Sequence, residues 1–274
     1  MEERREDLPT RRFRRRLMRI DVNAFLGAYP WSRVPGTSPE ALLAAMDRVG
    51  IDEAWVTHLP GLFWRDPTEG NAWLYETCSA TPRFKPIPAV HPGLAHWRDV
   101  LREAVDRHAP AVRCDPSWYG LHPEGSEVRS LAYACGGARL PLVLAVRLED
   151  GRQRHPNDVA PELSAAAVRA LIRSDPNVRL VVTHADRAFV EEVHFGSTAT
   201  EAERLWWDIS WLWGPPEEHL AGVLGTIGPE RFVFGTGQPL RLPETAVAKL
   251  DLLQLPAEER ERIESRNVLE SLAV

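Results

Sequence analysis

Polar side chains able to bind, orient or protonate a small molecule recur along this 274-residue chain at wide intervals. They are Asn23, His58, His91, Arg113 with Asp115, Arg147 with Glu149 and Asp150, His184, and Asp208. The densest stretch is Arg147-Leu148-Glu149-Asp150-Gly151-Arg152-Gln153-Arg154-His155-Pro156. A guanidinium such as Arg147 or Arg113 offers two parallel donors to a carboxylate or an oxyanion. Histidine exchanges protons near neutral pH and carboxylates accept them, so His184, Asp208 and Asp115 are the candidate acid–base groups. Asn23 is placed to donate to a developing oxyanion, and Glu149 and His155 complete the candidate substrate-binding set with Arg113 and Arg147. The competing reading is a charged network, in which Arg147 and Arg113 pair internally with Glu149, Asp115 or Asp208 and hold the structure together.

These groups need elements to position them, and the pattern supplies eight. Apolar or β-branched runs alternate with helical patterns from Met18–Val22 onward, the signature of repeated βα units. Further strands are expected at 51–58, 84–90, 111–114, 141–146, 178–183, 206–209 and 231–234. The first helix is the best punctuated, with Ser38 as N-cap, Pro39 in the first turn and Gly50 just past the end. Pro86 and Pro88 are awkward inside a central strand. Eight units close a (β/α)8 barrel, an α/β fold of about 250 residues. The chain divides into an N-terminal extension, residues 1–17, and a single barrel domain, residues 18–274, with an extra C-terminal helix whose acid and Arg interleaving reads as a solvated face. Function is then expected where the strands end, since βα loops build the site in such barrels. Trp31, Trp64 and Trp118 in those loops are placed to wall a partly apolar pocket. Trp211 and Trp213, after the seventh strand, are placed for a pocket or a subunit contact.

Composition narrows the partners. The net charge is −6, and residues 1–19 hold eight Arg and four acids. The body is therefore acidic, which argues against nucleic acid. No apolar run approaches the roughly 20 residues of a membrane helix, so no membrane partner is expected. Cys78, Cys114 and Cys135 form no CxxC pair, and no apolar segment follows the charged N-terminus, so a reducing cytoplasm is the expected location. A small-molecule ligand is the expected partner, and a homo-oligomer is compatible with the sequence.

Several strand ends fit a known frame. Asp21-Val22-Asn23-Ala24-Phe25-Leu26-Gly27 resembles the strand-one D-x-H-x-H-x-G of the amidohydrolase superfamily, in its amidohydrolase-related branch. Leu180 to Ala185 resembles the strand-six motif ending in a metal-ligating His, here His184. Asp208-Ile209-Ser210 resembles the D-x-S of strand seven. Gly228 to Pro239 is similar to the strand-eight G-x-x-R-x-x-F-G-S-D-x-P. The resemblance implies a barrel hydrolase with a metal at the strand ends, but Asn23, Phe25, Ala145 and Gly237 stand in the expected ligand slots. Phe25, Ala145 and Gly237 offer no side-chain lone pair, and zinc needs about three protein ligands. The only lysines, Lys85 and Lys249, are not at strand C-termini, so a carbamylated-lysine bridge is not expected either.

The expectation is no metal and no other cofactor, in a degenerate metal site. Three functions follow: a metal-independent hydrolase or lyase acting on a small carboxylate- or carbonyl-containing molecule, a catalytically silent binding barrel, or a hydrolase whose metal has moved to His58, His91, Asp115 and His184.

Overall fold

The computed structural model describes residues 18–214 and 216–272, so the extension at 1–17 lies outside the described residues. Eight parallel strands follow in order: β1 Ile20–Leu26, β2 Glu53–His58, β3 Phe84–Pro86, β4 Val112–Arg113, β5 Leu142–Ala145, β6 Leu180–Thr183, β7 Leu205–Asp208 and β8 Phe232–Val233. The helices between them are α1 Pro39–Val49, α2 Thr68–Ala80, α3 Trp97–Asp106, α4 Ser126–Ala138, α5 Ala165–Ser174, α6 Arg187–Phe195, the short α7 Ala199–Ala202, α8 His219–Ile227 and α9 Pro243–Leu253. Regular pairing runs β1-β2-β3 and β4-β5-β6-β7-β8.

Two seams close the ring. Between β8 and β1, Val22 N donates to Phe234 O (3.0 Å), Phe25 N to Gln238 O (2.8 Å) and Gly237 N to Asn23 O (2.7 Å). Between β3 and β4, Arg113 N donates to Pro88 O (2.9 Å) and Val90 N to Arg113 O (2.7 Å). The prolines explain the thin second seam. Ile87 N donates to Val56 O on the β2 side (2.8 Å), so Pro86 and Pro88 face β4, where neither has an N–H to give.

Ser38 caps α1 by accepting from Ala41 N at 3.2 Å, and Gly50 ends it at φ 73°. The barrel interior is layered. Ile20, Val22, Trp55, Val143, Val181 and Trp206 pack the N-terminal end, while Phe25, Ala89 and Ala145 pack the C-terminal end under Tyr29, Leu59, Leu62 and Leu148. Trp207, one residue on from Trp206, faces the helices instead and meets Phe189, as strand alternation requires.

The C-terminal segment departs from the solvated face expected of it. After α10 Ala257–Glu261 it winds into π turns, Arg262–Arg266 and Val268–Leu272. Val268 and Leu272 plug the N-terminal mouth of the barrel, and Glu264, 2% exposed, pairs with Arg19 at 2.7 Å. All three cysteines are buried and unpaired. Among the described residues, no helix is long and apolar enough to cross a membrane.

Candidate functional site

The first strand runs four residues past its expected end at Val22, to Leu26, with a register shift between Asp21 and Ala24. Such an irregularity re-aims side chains. Asp21, fully buried, accepts from Asn23 N (3.0 Å), Thr236 N (3.0 Å), Thr236 Oγ1 (2.5 Å) and Gln238 Nε2 (3.2 Å). It thereby ties β1 to the segment after β8. Burial raises its carboxyl to about 6 from 3.8, against the opposing pull of those hydrogen bonds. A carboxyl raised in the folded state binds more protons there than when unfolded, so its contribution falls as pH rises from about 4 to 6. The shift corresponds to about 3 kcal/mol. Urea unfolding at pH 4, 5 and 6 is expected to show a downward slope in stability that is flattened in Asp21→Asn. Equal slopes in the two proteins would contradict the assignment.

Above Asp21, six side chains from the ends of β1, β4, β6 and β7 form one hydrogen-bonded cluster. Asn23 Nδ2 donates to Asp208 Oδ2 (2.8 Å) and lies 3.0 Å from His184 Nε2. Its Oδ1 accepts from Arg113 Nη1 at 3.2 Å. Arginine only donates and carboxylate only accepts, so these partners fix the amide orientation and leave His184 Nε2 as an acceptor. Arg113 also donates from Nε to Asp115 Oδ2 (2.9 Å) and from Nη2 to Thr183 Oγ1 (3.2 Å), and lies over the Phe25 ring at 4.6 Å. Asp115 Oδ1 takes the Ala145 N–H at 2.8 Å, and Asp208 Oδ1 takes the His184 N–H at 2.9 Å.

His184 occupies the left-handed region at φ 57°, a conformation rare in a non-glycine residue and concentrated at functional sites. Its neighbours leave no room at two glycines. A Cβ on Gly235 would fall 2.6 Å from Asp208 Oδ2, and one on Gly237 (φ 71°) would fall 2.6 Å from His184 Nε2. The imidazole thus fills the place in which a side chain at 237 would stand.

The structure changes the roles expected for several residues. Arg113, expected to face a ligand, is 0% exposed and engaged by Asp115, Asn23 and Thr183. Its neighbours Val112 and Cys114 pack outward against the helices, which turns Arg113 inward. Asp115, expected as a base, spends its oxygens on Arg113 and on the Ala145 backbone. His184 does not titrate near neutrality: burial, then the charges of Arg113 and Arg241, push it well below the usual imidazole range. Burial raises the Asp208 carboxyl, opposed by hydrogen bonds that include those from His184 N and Asn23.

Arg147 pairs with Asp186 (2.8 Å) and Glu162 (3.1 Å), neither of them among the acids expected. Asp186 is also the N-cap of α6, accepting from Phe189 N, so the ion pair anchors Arg147 to a helix start. Glu149 and His155 lie with the loop-one aromatics: Glu149 acts on Tyr29, whose phenol burial and that charge push upward, and His155 stacks on Trp31 at 5.6 Å. Neither is hydrogen-bonded to the central cluster. His58 packs between Trp64 and Trp73, and burial lowers it to about 4. His91 stacks on Tyr119 at 4.3 Å and accepts from Gly93 N. Among the described residues, no three His, Cys, Asp or Glu side chains are grouped to hold a metal ion.

Sequence reasoning named Arg147 and Trp211 but missed Arg241, which joins them in a second cluster at the rim. The Arg241 guanidinium lies 3.5 Å from the Trp211 ring centre, Arg147 lies over the same ring at 5.6 Å, and Trp211 meets His184 edge-on at 5.7 Å. Lys249 donates to the Ile209 and Ser210 carbonyls (2.9 and 3.0 Å), fixing the turn that carries Trp211, and burial lowers its ammonium to about 8. Arg241 stands just beyond the strand-eight frame, so the same rule that singled out the other strand ends would have found it.

The polar groups gather at the strand C-termini, where such barrels place their sites, and the comparisons give the family. The amidohydrolase family model matches residues 24–269, and the chain belongs to that family. Among solved structures it is similar to 2,6-dihydroxybenzoate decarboxylase complexed with 2,6-dihydroxybenzoate (14% identity, TM-score 0.71, 92% of this chain and 98% of that one). It is also similar to 5-carboxyvanillate decarboxylase from Sphingomonas paucimobilis (14%, 0.70, 94% and 99%). A third is a probable 2-pyrone-4,6-dicarboxylic acid hydrolase from Acinetobacter baumannii with citric acid bound (11%, 0.65, 93% and 99%). At these identities the likeness is one of fold. No curated protein matches the chain.

Proposed function

We propose that this protein is a metal-independent member of the family, a lyase or hydrolase acting on a small carboxylate- or carbonyl-containing molecule. The observation that carries the reading is the position of the Arg113 guanidinium. It touches Asn23 and the face of Phe25, and reaches Ala145 through Asp115. Those are three of the slots from which the family frame takes metal ligands. A buried monovalent cation therefore stands among them, already paired, and a divalent ion brought beside it would meet repulsion and too few lone pairs. Of the ligand slots of that frame only His184 keeps a ligand side chain, and its Nε2 faces the Asn23 amide, while Asp115 and Asp208 are spent on Arg113, the Ala145 N–H, the Asn23 amide and the His184 N–H. The residues present do not fit a metal, so no step is routed through one. The decarboxylases among the similar structures favour a lyase acting on an aromatic acid.

In this reading Asp208, whose carboxyl burial raises, and neutral His184 are the proton-exchanging groups, and Asn23, whose amide hydrogens go to both, orients them rather than donating to substrate. Asp115 has a structural part, holding Arg113. The test is turnover of hydroxybenzoates and pyrone lactones by chelator-treated protein. Rates are expected to be unchanged by chelation and by added zinc or manganese. Activity that depends on the added metal would sink the proposal.

A second reading is favoured by one observation: His184 and Asp208 are both 0% exposed. A catalytically silent barrel would bind the same acids without consuming them, and the same assay separates the two.

A further inference from the structure

Three arginines reach the C-terminal end of the barrel, and their partners differ. Arg113 is saturated by Asp115, Asn23 and Thr183. Arg147 is held by Asp186 and Glu162. Arg241 has neither an ion-pair partner nor a side-chain hydrogen bond among the described residues, and its Nε is buried without an acceptor. Asp208 and Asp150 act on it only through space. A buried guanidinium N–H without an acceptor is costly, because its desolvation is not offset by a bond.

Arg241 also lines a cavity of about 370 Å³ between α1 and the segment joining β8 to α9. Its walls are mostly apolar, from Pro35, Ala41, Ala45, Pro239 and Leu242. The other arginine on the cavity, Arg48, is neutralised by Glu244 at 2.5 Å. Gln238, also on the wall, is committed to Asp21. The size falls in the usual range for a small-molecule site, roughly 300–1,000 Å³, and the pattern of apolar walls with one polar anchor is the usual one.

We propose that this cavity binds a small organic acid, with its carboxylate on the Arg241 guanidinium and its hydrocarbon body against the proline, alanine and leucine walls. Stacking on Trp211 holds the guanidinium flat, which pre-organises two parallel N–H donors for a carboxylate. The inference rests on the reading above only in taking the ligand to be a carboxylate. It requires neither turnover nor the absence of a metal.

The test is calorimetric titration of the full-length protein with benzoate, cyclohexanecarboxylate and 2,6-dihydroxybenzoate, with benzamide as the neutral counterpart. At least one acid is expected to bind and benzamide to fail. Arg241→Met should weaken the acid by roughly 10- to 100-fold, the range expected for losing a charge-assisted hydrogen bond. Arg241→Lys should recover part of the loss. Ala45→Phe, which narrows the cavity from the α1 side without touching Arg241, should weaken the acid also, with circular dichroism confirming that each variant is folded.

No binding by any of the three acids, equal binding of benzamide, or unchanged affinity in Arg241→Met would each overturn the proposal. So would full affinity in Ala45→Phe, which would place the acid elsewhere on Arg241. Failure here with persistent metal-free turnover would leave the proposed activity standing. Arg241-dependent binding without turnover would have the opposite consequence.

Discussion

Arg113→Met is expected to lower the unfolding free energy by about 3–5 kcal/mol, the cost typical of breaking a buried ion pair by removing one partner. Methionine replaces part of the stem, so little of the loss comes from a cavity. What remains is a buried Asp115 carboxylate with only the Ala145 N–H, together with an Asn23 oxygen that has lost its donor. The double variant Arg113→Met with Asp115→Asn removes both charges of the pair and keeps an oxygen for Ala145 N. It should therefore be more stable than the single variant, the signature of a coupled pair. Urea denaturation of the wild type and of the two variants measures this directly. A loss below about 1 kcal/mol in Arg113→Met would mean that the guanidinium is not the charge around which the barrel's polar layer is organised.

The same residue shows what the sequence could and could not disclose. Strand alternation around Val112, Arg113 and Cys114 was readable, and it points Arg113 into the barrel. Asp115, two residues on, is a partner the sequence names; Asn23 and Thr183 are not, because they meet Arg113 only when the ring closes. The α1 caps were legible because Ser38, Pro39 and Gly50 act within one helix. The end of β1 was not, since that stretch, with its register shift, is held by hydrogen bonds that Val22 N and Phe25 N donate to the Phe234 and Gln238 carbonyls, more than 200 residues away. The C-terminal segment misled for a related reason: its charged face is local information, whereas the packing of Val268 and Leu272 beneath the barrel is not.

Putting the family's acid back at position 237 should damage the protein rather than repair a metal site. Gly237→Asp is expected to cost about 2–4 kcal/mol, combining a left-handed backbone with overpacking. The new Cβ would meet His184 Nε2 at 2.6 Å, and that ring cannot retreat, being enclosed by Asn23, Phe25 and Trp211. Shrinking the obstacle should relieve the clash, so Gly237→Asp should cost less in a His184→Ala background than in the wild type. Gly237→Ala carries the same backbone strain and the same Cβ clash without a charge, so the difference between the two variants reports the carboxylate alone. Zinc titration of Gly237→Asp should give no stoichiometric binding, because Asp208, the third ligand type there, is already committed to the Asn23 amide and the His184 N–H, next to a fixed guanidinium. Tight zinc uptake by that single variant would mean that Arg113 yields its place to a divalent ion, and metal-independence would then lose its physical basis.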